Sequence, residues 1–290
     1  MSRFFLVGII IVGTLALAGC SIERHTYSLE IQVQGQGTVL PGAANSYTEE
    51  TAVDVEAIPA DGWQFYRWQG EVADPLSQTT TVLIDGNKTL RAIFVDAAGP
   101  TVLEAPGGII TSRADGSNVS LRPQGAQDIQ YIMLHAISDS VANPTKPYQI
   151  ERIRTIFNDY SVEAHYAIDR RGVIYQFVED ERIARHAGVG SWANNPRLTN
   201  NMNRYAIGIE LLGIGTKGEM VGVIGPEANG KIQANDRGYT EEQYRSLDSL
   251  LHHLTRRYGI PQENIITHKD YDPGRKWDPG KLFDRNKVNI

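Results

Sequence analysis

The sequence predicts an α/β fold, a mixed central β-sheet flanked by helices, preceded by a small all-β module. Three observations carry this expectation. From Asp128 onward, strand-like and helix-like apolar patterns alternate, as in one sheet with helices packed on it. Residues 26–96 hold only short period-two segments between turns. The length, 290 residues, is enough for two domains.

Residues 1–20 belong to neither part. Arg3 precedes an apolar run from Phe4 to Ala18, followed by Gly19 and Cys20, which is the layout of a secretory signal and is short for a transmembrane helix. The tetrad Leu17-Ala18-Gly19-Cys20 resembles the lipobox of bacterial lipoproteins. That resemblance implies cleavage before Cys20 and a lipid on its sulfur. Cys20 is the only cysteine, so no disulfide can form within the chain. The expected location is a bacterial cell envelope, lipid-anchored to a membrane and facing the periplasm or exterior.

Charge is uneven. Residues 21–100 carry 11 acidic against 4 basic side chains, a net of −7, whereas residues 101–290 carry 23 of each. Neither half has the basic excess that nucleic-acid binding needs. The acidic half would be repelled by anionic headgroups, so membrane attachment should rest on the lipid. A monomer is expected.

Within 26–96, Tyr27–Val33 and Thr51–Ala57 alternate with period two, Pro59 to Gly62 turns, and Trp63-Gln64-Phe65-Tyr66-Arg67-Trp68 follows. Thr79–Ile84 and Thr89–Phe94 are two further strands, and Asp85-Gly86-Asn87 between them is a hairpin signal. The stretch resembles the divergent β-grasp repeats of bacterial surface proteins. Trp63, Phe65 and Trp68 are read as core, with a sugar-stacking face as the lesser alternative. Residues 97–125, rich in Gly, Ala, Pro and Ser as far as Asn118, read as a linker.

The second domain is placed at 126–285. Strands are expected at Ile129–His135, Ala164–Asp169, Val173–Val178, Tyr205–Leu212 and Asn264–Thr267, with a helix near Tyr148–Asp159. The clearest helix is Thr240–Tyr258, opened by the capping box Thr240-Glu241-Glu242-Gln243 and closed by Gly259 and Pro261. Gly213 to Gly238 is Gly-rich with little periodicity and reads as a long surface loop beside the site.

The chemistry concentrates in Thr267-His268-Lys269-Asp270-Tyr271-Asp272-Pro273-Gly274-Arg275-Lys276-Trp277-Asp278-Pro279-Gly280. Bends at its Pro and Gly residues can aim His268 and Asp278 at one point. Lys276 lies two residues from Asp278, on the same side of an extended stretch. A third ligand would complete an open zinc site with a free position for water, and His135, ending the apolar run Tyr131–Leu134, is the best candidate. A lone histidine at a strand end is usually a satisfied polar group; only its company reverses that here.

These segments resemble, in order, the type 2 zinc N-acetylmuramoyl-L-alanine amidases, the amidase and peptidoglycan recognition protein family. His135, Glu163–Gly172, Arg185-His186-Ala187-Gly188, Ala206–Leu211 and His268–Gly280 carry the resemblance over about residues 126–285. It implies zinc (Zn2+) on His135, His268 and Asp278, with Glu210 and Lys276 as the acid/base and electrostatic pair. The implied substrate is peptidoglycan or a muropeptide, cut between N-acetylmuramic acid and L-alanine. Glu210 in its apolar strand should have a raised pKa, suiting it to move a proton. Glu210 could instead be a structural carboxylate, and Lys276 a solvated lysine. His165 and His186 match positions near the cleft and receive no ligand role. The alternative is a noncatalytic peptidoglycan-binding lipoprotein on the same fold, in which a metal ligand is usually lost; this chain has all three.

Overall fold

The computed structural model describes residues 25–288. The signal sequence and Cys20 lie outside them. The chain divides into two compact units, one holding 25–60 with 67–94, the other 61–66 with 95–288.

The first seven strands are β1 (Thr26–Gln34), β2 (Gly37–Leu40), β3 (Ala44–Thr48), β4 (Thr51–Pro59), β5 (Trp63–Gln69), β6 (Thr79–Ile84) and β7 (Lys88–Asp96), which make up the first unit except for residues 63–66 of β5 and 95–96 of β7. They form one sheet in the order β3-β1-β7-β5 and another in the order β2-β4-β6. Alternation decides the faces: Val53, Val55 and Ala57 of β4 and Val82 and Ile84 of β6 are buried, and the alternating Asp54 and Glu56 are exposed. Asp85-Gly86-Asn87 does not close a hairpin. β6 pairs with β4, whereas β7 pairs in parallel with β1. The turn hands the chain from one sheet to the other, and Asn87 Oδ1 accepts from Ser28 N at 3.0 Å. Trp68 is buried and donates from Nε1 to Ser77 O at 3.1 Å, while Trp63 and Phe65 are half-buried.

The second unit contains β8 (Val102–Glu104), β9 (Tyr131–Ile137), α1 (Ile150–Tyr160), β10 (Tyr166–Ile168), β11 (Ile174–Gln176), α2 (Met202–Tyr205), β12 (Ala206–Leu212), α3 (Lys217–Lys231), α4 (Glu241–Tyr258), β13 (Ile265–Thr267) and α5 (His268–Tyr271). One six-stranded sheet runs β13-β9-β12-β10-β11-β8. All its pairs are parallel except β10 with β11. Helix α4 starts and stops where its caps predict: Thr240 and Gln243 complete the capping box, and Gly259 at φ 65° closes the end. Its apolar stripe, Leu247, Leu250, Leu251 and Leu254, packs on Ile132 and Leu134 of β9 and Ile207, Ile209 and Leu211 of β12. Each such side chain, fully buried, stabilises the fold by about 1.5–3 kcal/mol. Period two then sends His135, Gly208 and Glu210 to the opposite face of the sheet.

Two other expectations are corrected. The stretch 97–125 is not simply a linker. β8 is the sheet's edge strand, paired with β11, and Ala105, Ile110, Val119 and Arg122 are buried. Its composition hid a strand of three residues, too short to show a period. Gly213–Gly238 is largely helical. Thr216 Oγ1 accepts from Glu219 N at 3.2 Å and Glu219 Oε2 accepts from Thr216 N at 3.0 Å, a capping box that starts α3. Periodicity was missing because α3 is broken at Gly225 (φ 77°) ahead of Pro226, and buries only Met220 and Asn229.

Candidate metal centre

Strand order assembles the site. Glu210 of β12 is the register partner of His135 on β9, and Thr267 of β13 is the partner of Leu134. His268, one residue past Thr267, and His135 and Glu210 therefore stand in a row across the C-terminal ends of three parallel strands, where crevices of such sheets open. His135 sits two residues inside its strand, not at its end as the apolar run suggested. The loop after α5 returns Asp278 to the same point.

His135 Nδ1 lies 2.9 Å from His268 Nδ1 and 3.2 Å from Asp278 Oδ2, and His268 Nδ1 lies 3.0 Å from that oxygen. All three residues are buried. Among the described residues this is the group of three whose ligand atoms can reach a common metal ion. The hydrogen bonds on the far side of each ring assign its proton. His268 Nε2 faces Ala187 O at 3.0 Å, and a carbonyl only accepts, so that nitrogen carries the proton and Nδ1 keeps its lone pair. His186 Nε2 faces Ala206 O at 3.4 Å, so His186 Nδ1 accepts from His135 Nε2 at 3.0 Å, and His135 Nδ1 is also unprotonated. Two nitrogen lone pairs and a carboxylate oxygen thus converge with no proton to share. Such a donor set fits a cation. Zinc with bonds of about 2.0–2.2 Å to such atoms would need the three only slightly further apart than they are.

Protonation agrees. Burial, reinforced by the nearby His268, pushes His135 down to about 4, so it is neutral near pH 7. Glu210 is shifted up, first by burial and then by the charge of Asp278, with Lys276 opposing. Its Oε2 is sealed from solvent without a hydrogen-bond partner. Glu210, Lys276, Trp277 and Arg275 line one cleft with the three cluster residues. Trp277 is seated between two glycines: a Cβ would stand 2.7 Å from its ring at Gly215 and 2.8 Å at Gly280, which also needs φ 85°.

The remaining histidines divide. His165 Nδ1 accepts from Gly208 N at 2.9 Å, so its proton is on Nε2, facing Arg182 O at 3.1 Å, and the ring is spent on structure. Arg122, buried beside it, donates to the carbonyls of Asp180 at 2.8 Å and Ala206 at 2.9 Å. His186 touches His135, a role sequence reasoning did not assign although the Arg185–Gly188 segment signalled its neighbourhood. Asn203, which holds the His186 turn, carried no signal. Glu163 accepts from Arg113 Nε and Arg185 N, both at 3.0 Å, and anchors the same segment.

Known protein families match this chain over two separate stretches. The family described as N-acetylmuramoyl-L-alanine amidase matches residues 125–281, and that described as divergent InlB B-repeat domain matches 27–98. The 1,6-anhydro-N-acetylmuramyl-L-alanine amidase AmpD of Haemophilus influenzae is 34% identical over 124 residues, 42% of this chain and 54% of the relative. N-acetylmuramoyl-L-alanine amidase AmiD of Escherichia coli is 33% identical over 133 residues, 43% of this chain and 42% of the relative. The chain thus spans about half the length of the curated relatives it matches. The solved structure of E. coli AmiD with anhydro-N-acetylmuramic acid-L-Ala-D-gamma-Glu-L-Lys aligns at TM-score 0.42 and 25% identity, covering 55% of this chain and 56% of that one. Because the first match covers more than half of the 290 residues, the chain belongs to the N-acetylmuramoyl-L-alanine amidase family.

Proposed function

We propose that this protein is a zinc-dependent N-acetylmuramoyl-L-alanine amidase, hydrolysing the amide between the lactyl group of N-acetylmuramic acid and L-alanine. The observation that carries this is the proton-free convergence of His135 Nδ1, His268 Nδ1 and Asp278 Oδ2 at a cleft that also presents Glu210 and Lys276. In this reading those three residues hold the ion. Zinc, when bound, supplies a Lewis acid and brings a water's pKa to about 7. Glu210 takes the proton of the attacking water and passes it to the amine of the departing L-alanine, so the C–N bond breaks and no proton is lost or gained overall. Its raised pKa suits both halves of that transfer. Lys276 lends its charge to the oxyanion that develops on the attacked carbonyl.

The substrate is peptidoglycan or fragments shed from it, and the AmpD and AmiD relatives support that class. The lipobox-like segment ending at Cys20 supports a lipid-anchored protein of the bacterial envelope. Digestion of purified peptidoglycan with and without chelator, followed by mass analysis of the new ends, tests the activity. Chelator-sensitive release of L-alanine amino termini is expected; cuts within the sugar chain, or binding without cleavage by zinc-loaded protein, would overturn it.

A further inference from the structure

Both histidines of the cluster are held from behind by one turn. His135 donates from Nε2 to His186 Nδ1 at 3.0 Å, and His268 donates from Nε2 to Ala187 O at 3.0 Å. His186 and Ala187 are neighbours. Asn203 Oδ1 accepts from the backbone N–H of each, at 2.9 Å and 2.8 Å, so one amide oxygen on α2 fixes the turn. His186 in turn donates to Ala206 O at 3.4 Å, at the start of β12. Its ring rests where β12 has no side chain: a Cβ at Gly208 would stand 2.5 Å from His186 Cγ.

We propose that His186, seated on Gly208 and held with Ala187 by Asn203, is a positioning unit that sets metal affinity by orienting both ligand imidazoles. The inference rests on the zinc reading of the cluster. Its physical basis is directional. Each ring can rotate about its Cβ–Cγ bond, and a lone pair reaches the shared point only if the opposite nitrogen has an acceptor in line. For His135 that acceptor is the neutral His186 ring, itself fixed as an acceptor because its other nitrogen must donate to a carbonyl. For His268 it is the carbonyl of the next residue. Two ligands from different elements, β9 and α5, thereby share one support, and a shift of the turn misaligns both. Losing such outer partners typically costs about 10–100-fold in metal affinity.

The test is a zinc-affinity titration by chelator competition on the full chain, with the visible spectrum of the cobalt-substituted protein as reporter of ligand geometry. His186→Leu should bind zinc about 10–100-fold more weakly. His186→Asn, whose side-chain oxygen can occupy the place of Nδ1, should recover most of that loss. Gly208→Ala touches no ligand, yet should weaken zinc and alter the cobalt spectrum by displacing the His186 ring; Asn203→Ala should do the same through the turn. Thermal midpoints of the metal-free variants, measured alongside, identify any that fail to fold, and the folded ones decide. Wild-type affinity and spectrum in folded Gly208→Ala and Asn203→Ala would overturn the proposal, as would equal losses in His186→Leu and His186→Asn. If the wild type binds no zinc, the zinc reading itself falls, an outcome distinct from variants that bind as well as a zinc-loaded wild type.

Discussion

Replacing Glu210 with glutamine should remove the activity while leaving the protein at least as stable. The side chain is isosteric, so packing on β12 is kept. What changes is charge: Oε2 is buried without a partner, and burial together with the charge of Asp278 already disfavours the ionised form. The amide is still polar and buried, but it carries no charge to desolvate, so stability at pH 7 should be unchanged or higher. A domain of this size responds by roughly 2–4 °C per kcal/mol. Proton transfer by a positioned side chain is worth about 10²–10⁴-fold in rate, and glutamine cannot perform it. The assay pairs the initial rate of L-alanyl peptide release with zinc content and the thermal midpoint. Full activity in Glu210→Gln would end the proton-transfer role. Loss of zinc or a fall in stability would show that the carboxylate is structural.

Further outcomes follow from the same geometry. Asp278→Ala removes the one anionic donor of the cluster and should abolish both bound zinc and turnover, read by metal analysis of the dialysed protein. Lys276→Met should keep the metal but lose about 3 kcal/mol of transition-state stabilisation, on the order of a hundredfold in rate; a change confined to zinc content would refute its role. The metal-free protein should lose stability as pH falls from about 6.5 towards 4, because His135, His165 and His186 are all held neutral by burial while the unfolded chain takes up protons. Each contributes up to about 1.4 kcal/mol per pH unit within its window, which for His135 closes near 4. Glu210, with a raised pKa, works in the opposite sense, but it is one group against three. Chemical denaturation at several pH values checks the slope, and a midpoint flat between pH 7 and 5 would contradict it.

Much of this was legible locally. Period-two runs marked β1 and β4, because alternation on a pleated strand depends only on neighbours. Capping residues marked both ends of α4, because a helix terminus must satisfy its own backbone groups within a few residues. The same rule could have found α3 from Thr216 and Glu219, had the glycines not suggested a loop. Asp278 and His268, ten residues apart in a Pro/Gly-bent segment, were readable as co-ligands for the same local reason.

Partners far apart in sequence were another matter. His135 and His268 are 133 residues apart, and only the strand order β13-β9-β12, with its register, sets them beside each other and beside Glu210. Pairing between distant strands is decided by which buried faces fit together, a property no short window contains. The change of sheet at Asp85–Asn87, the edge strand inside the Gly-rich stretch, and the turn that ties His186 and Asn203 to both ligand rings arise in the same way. Residue chemistry and local periodicity determined which side chains could hold an ion; the assembled sheet decided that their lone pairs meet.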